Sequence, residues 1–178
     1  MRRSTAPMAF ACLCALATAF SAYAGEARLP VPGWGALVLS VPDGWKQSMK
    51  PGAVPVLELA PATGKGFAIH VSPLRAADGF MPDASPKSLR GIITVEAQTM
   101  QAQAVEKELP IRDLHAGAIY GSYFTATDRN AKPGEFKRMT QGAIGVQGLP
   151  VVFTILYNGD PKLSEAPALR MMGTARKQ

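Results

Sequence analysis

Apolar and polar positions alternate over several short stretches of this chain and recur at helical spacing over two longer ones. Leu37, Leu39 and Val41 share one side of the segment 36–41, the period of a strand. Segments 54–59 and 66–72 read as a second and third strand, joined by a hairpin turn at Thr63-Gly64-Lys65-Gly66. In the third, Phe67, Ile69 and Val71 face one way while Ala68, His70 and Ser72 face the other. The period then changes. Leu89, Ile92, Ile93, Ala97, Met100 and Ala104 fall on one helical stripe, with Ser85 as cap, Pro86 at the first helical position and Pro110 as the stop. This predicts a long helix over 85–109, packed on a sheet through Leu89, Ile92, Ile93 and Met100. Three β segments follow, 111–127, 136–146 and 151–157, broken at 128–134 and 147–150. The last is apolar on both sides, as a strand with layers above and below it requires. Asn158-Gly159-Asp160-Pro161 then leads into a closing helix at 162–173. Residues 25–35, rich in Pro and Gly, read as an extended lead-in, and Trp45 begins a brief extension after the Pro42-Asp43-Gly44 turn. The order is strands, helix, strands, helix. Short turns imply a mainly antiparallel sheet of about six strands flanked by two helices, an α+β fold in a single domain over 25–178.

The amino terminus changes the setting. Arg2 and Arg3 precede an apolar run from 8 to 20, and Ala22-Tyr23-Ala24 supplies small residues where signal peptidase needs them. Residues 1–24 therefore read as a secretion signal cleaved after Ala24, which sends the protein to the periplasm. A retained anchor is the alternative, but the run falls short of the ~20 apolar residues that a bilayer span needs. Ser4-Thr5-Ala6-Pro7 after the arginine pair favours the general secretion route over twin-arginine export. Cys12 and Cys14, the chain's two cysteines, lie inside the apolar run and lack the preceding pattern of a lipidation site. Both leave with the signal, so the mature chain holds no disulfide and relies on its core. A domain of about 150 residues buries about 70% of its unfolded surface, which suffices.

The element order resembles that of the PsbP/Mog1-like domains. These open with a strand, a Val-Pro-x-Gly-Trp type turn and a second strand, matched here by Ser40-Val-Pro-Asp-Gly-Trp-Lys46. A hairpin, a long helix (85–109), a meander (118–157) and a closing helix (163–172) follow in the same order, so the likeness covers most of 36–175. It implies an α/β/α sandwich and the work of an accessory or binding protein. No shared catalytic set comes with it.

The side chains themselves offer little chemistry. The chain has two histidines, His70 and His115, in separate β segments and without the spacing of metal ligands, so no metal and no cofactor is expected. Gly121-Ser122-Tyr123 lies in mid-strand, where a nucleophile elbow does not form. Glu106 and Glu108, two residues apart on a helix, do not face each other. Gly142, Gly145 and Gly148 read as glycines in a twisted ladder, not as a phosphate loop. Lys and Arg number 19 against 13 Asp and Glu, an excess that favours anionic surfaces but is too small and scattered for nucleic acid. Its one concentration is Arg129, Lys132, Lys137 and Arg138 around the Lys132-Pro133-Gly134 turn, held out from the sheet. A solvated turn is the plain alternative. Trp45 suits the core, and Trp34, among Pro and Gly, is the better surface candidate. The expectation is a non-enzymatic exported envelope protein that binds a protein partner or a small anionic ligand, with Arg129, Lys132, Lys137, Arg138 and Trp34 as contact surface. A hydrolase assembled from distant strands, marked by His70 or His115 beside an acid in a pocket, is one alternative. An immunity protein or adaptor for a secreted toxin is another.

Overall fold

The computed structural model describes residues 23–63, 66–75 and 80–178. The expected signal 1–24 lies outside them, except that Tyr23 and Ala24 begin the first strand. Ten strands and two helices follow in the order β1 (Tyr23–Val31), β2 (Gly35–Pro42), β3 (Trp45–Lys50), β4 (Val56–Pro61), β5 (Phe67–Pro73), α1 (Pro86–Met100), β6 (Arg112–Ala116), β7 (Ile119–Thr127), β8 (Arg138–Val146), β9 (Leu149–Tyr157), α2 (Pro161–Met172) and β10 (Arg176–Lys177). The fold is α+β with antiparallel sheets, as the pattern implies. The expected single sheet of about six strands is instead a seven-stranded sheet, β3-β4-β5-β9-β8-β7-β6, and a three-stranded sheet, β1-β2-β10.

The added strands have identifiable causes. Most of the lead-in 25–35 belongs to β1, which ends at Val31. Pro30 is tolerated because β1 is an edge strand, and the alternation persists, with Ala27, Leu29 and Val31 buried between exposed Glu26, Arg28 and Pro30. β3 is the other sheet's outer strand, and its polar residues are exposed. Segment 111–127 splits at the Gly117-Ala118 turn into β6 and β7, with Ala116 opposite Ile119. Between β8 and β9 the turn is Gln147-Gly148, both at positive φ (47° and 83°), as a tight two-residue hairpin requires.

The long helix stops earlier than its stripe. α1 ends at Met100 and not at 109, because the chain leaves the helix to pair with the end of β7. Val105 N donates to Thr127 O at 2.8 Å, and Ala104 bridges Asp128. Ala104 and Leu109 still bury in the same cluster as Leu89, Ile93 and Ala97, so the stripe is real while the backbone beneath it is not all helical. Ile92, expected on this face, is only partly buried and stands outside the cluster. The N-cap is as expected, with Ser85 accepting from Ser88 N and Pro86 following.

One face of the large sheet carries the small sheet and α2, which packs on β2 and β9, and the main core lies between them. The other face carries α1, seated on β7 and β8. Phe153 and Ile155 of β9 are buried on the first side, and Val152 packs partly under α1 on the second.

Candidate functional site

The loop between β7 and β8 brings the four cations together but does not leave them equivalent. Its tip is a turn in which Glu135 N donates to Lys132 O at 3.0 Å, with Gly134 at φ +92°. Both flanks are pinned. Arg129 N donates to Gln103 O, and the Arg129 guanidinium donates to Ala104 O at 2.6 Å, tying the loop to the segment after α1. On the other flank Lys137 N donates to Asn158 Oδ1 at 2.8 Å. Arg138 is half-buried, with its charge near Tyr157 and Glu106. Lys132 and Lys137 are exposed, and their ammonium groups have no ion pair or side-chain hydrogen bond among the described residues. Two of the four cations are thus free and two are engaged by the fold.

Beneath this loop, against the end of α1, a cavity of about 130 Å³ opens to solvent. Met100, Ala104, Ala126, Phe136, Met139 and Leu156 form its apolar walls, and Lys137, Arg138 and Asp128 stand among its polar lining. The Asp128 carboxylate accepts from Asn130 N at 2.8 Å, so it serves its own loop. Lys132 and Lys137 also line a shallow cleft that the loop forms with Asn158 and Gly159.

Trp34 lies in the β1–β2 turn, in the other sheet. It is half-buried against the core, and Lys177 Nζ stands 5.0 Å from its ring centre. It does not join the cations. Trp45 meets Phe67 edge-on at 5.3 Å and packs on the main core.

A second grouping was missed in the pattern. On the α1 face, register aligns Ser48, Glu58, His70, Thr154 and Gln141 in one row across β3, β4, β5, β9 and β8. His70 Nε2 lies 3.5 Å from Glu58 Oε2, which Lys50 Nζ also approaches at 2.5 Å. Lys50 is the main cause that holds Glu58 below its ordinary value, and burial, helped by the Lys50 charge, pushes His70 below its own. The signal was available: a turn centred on residue 64 pairs 58 with 70. His115 is about four strand spacings from His70 across the sheet, roughly 19 Å, and its row is offset by a further four residues along β9, roughly 13 Å. Asp113 serves Arg90 and the Ser122 hydroxyl. Among the described residues no three His, Cys, Asp or Glu side chains converge as a metal site would need. The glycines of β8 make room for rings: a Cβ on Gly142 would stand 2.3 Å from Phe153, and one on Gly145 2.8 Å from Tyr120.

No protein-family model and no curated protein matches the chain. Its fold is similar to a crystal structure of a protein from Bacteroides thetaiotaomicron VPI-5482, with a TM-score of 0.52 at 12% identity, over 85% of this chain and 48% of that one. The chain spans about half the length of that protein, and at this identity the likeness concerns the fold alone.

Proposed function

We propose that this chain is an exported binding module of the cell envelope, PsbP/Mog1-like in architecture, that engages an anionic protein partner or ligand at the 128–138 loop. The observation that carries the reading is the pair of unpartnered ammonium groups, Lys132 and Lys137, on a loop whose backbone is fastened at both flanks. A pinned loop loses little conformational freedom on binding, so its charges act at low entropic cost. Arg129 gives one guanidinium nitrogen to Ala104 O, and Trp34 lies in the other sheet, so the reading centres on Lys132 and Lys137. Site-specific photo-crosslinking tests this. A crosslinking residue in place of exposed Glu135 should trap a partner in intact envelopes. The same residue in place of Gln98, exposed on α1, should not. Equal trapping at both positions, or none at Glu135, contradicts it.

The approach of His70 to Glu58 favours a second reading, a hydrolase with an imidazole base. Hydrolysis of a chromogenic ester that disappears in His70→Gln, with the fold retained, would support it. Rates unchanged by that substitution would dismiss it.

A further inference from the structure

We infer that the cavity between the end of α1 and the 128–138 loop binds a small organic carboxylate, with a chain of about six carbons or a single ring in the cavity and its carboxylate at Lys137. The inference rests on the reading of the loop as the contact site and names a ligand class for it. Size sets the apolar part: at about 130 Å³ the space is close to the roughly 150 Å³ apolar cavities that take benzene. The walls from Met100, Ala104, Ala126, Met139 and Leu156 offer this part no hydrogen-bonding side chain. The two methionines suit a chain of variable shape, since thioether side chains adapt to irregular contacts.

Charge sets the other end. Lys137 and Arg138 line the cavity against a single acid, Asp128. The Asp128 carboxylate is turned to Asn130 N, and the nearby Glu106 carboxylate is spent on Thr127. Lys137, exposed and among the lining residues, is the cation there whose ammonium has no partner among the described residues. A carboxylate with an apolar tail would pair that charge; a neutral amphiphile would accept a weaker, uncharged hydrogen bond from it, and a cationic one would be repelled.

The test is a titration of the purified exported protein with hexanoate, benzoate, hexanol and hexylamine, followed by amide NMR shifts and calorimetry. Hexanoate or benzoate should saturate, with shifts centred on Met100, Ala104, Ala126 and Met139. Hexanol and hexylamine should bind at least about tenfold more weakly, the share of one charge-assisted contact. Lys137→Glu should lose about tenfold or more in carboxylate affinity. Leu156→Trp should abolish binding by filling the cavity. Should that variant fail to fold, Gln103→Trp at the rim fills the mouth without entering the core. No saturable binding, equal binding of hexylamine, or shifts elsewhere would overturn the inference. Crosslinking at Glu135 would still stand in that event, and carboxylate binding without crosslinking would instead sink the wider reading.

Discussion

Glu106 clasps Thr127: one carboxylate oxygen accepts the Thr127 hydroxyl at 2.6 Å and the other accepts its backbone N–H at 2.8 Å. This contact fastens the segment after α1 to the end of β7, beside the cavity. Burial pushes the Glu106 carboxyl up, but the two Thr127 bonds, with Arg138 nearby, outweigh it and hold the group below its ordinary value. A depressed carboxyl stabilises the fold fully above the unfolded value near 4.5, and the contribution is lost as pH falls through the folded value. Glu106→Gln should therefore lower the melting temperature at pH 6. The gap from the unmodified protein should shrink steadily below about pH 4.5. A gap of constant size down to pH 3 would show that the charge does not matter.

The helix face offers a paired test. Ile93 is fully buried in the cluster beneath α1, whereas Ile92 is partly buried outside it. Ile93→Asp buries a carboxylate without a partner and should cost several kcal/mol, roughly enough to unfold a marginal domain. Ile92→Asp should cost about 1 kcal/mol, nearer the mean for point substitutions. Chemical denaturation reads both, and equal losses would misplace the helix by one position.

These two residues also mark how far the pattern carries. The stripe from Leu89 to Ala104 showed that α1 exists and which side is apolar. It did not show that the chain leaves the helix at Met100, because the competing partner is the backbone of Thr127, more than twenty residues away. The alternation of Ala27, Leu29 and Val31 went unread as a strand, because Pro30 and Pro32 masked it. Edge position, which excuses a proline, is a property of the finished sheet. The charges of the 129–138 loop were plain in the sequence. That Arg129 is consumed by Ala104 O, and that a cavity opens beside Lys137, depends on where α1 stops.

Gly142 faces Phe153 across the β8–β9 ladder, and the ring occupies the place of a side chain at 142. Gly142→Ala should cost about 1–3 kcal/mol by overpacking. Phe153→Leu in the same chain should recover only part of that loss relative to its own single variant, because Ser122 O also lies 2.8 Å from the added Cβ. A neutral Gly142→Ala would mean that the ring moves freely.

The proposed cleavage after Ala24 has a structural corollary. Pairing of β1 with β2 is regular from Gly25 onward and irregular between Tyr23 and Gly25. Cleavage after Ala24 would leave the regular ladder whole. Intact-mass analysis of protein recovered from the envelope should give a chain beginning at Gly25, and a species retaining Met1 would contradict this.

The proposed contact runs through Lys132 and Lys137. The direct measurement is the affinity of the Lys132→Glu, Lys137→Glu double variant for the partner trapped at Glu135, taken against ionic strength. Exposed charges are worth about 1 kcal/mol or less each and are screened by salt. The unmodified protein should bind more weakly as salt rises. The variant, with its melting temperature unchanged, should bind about tenfold more weakly at low salt and show a flatter salt dependence. Equal affinity of the two proteins at low salt would contradict it.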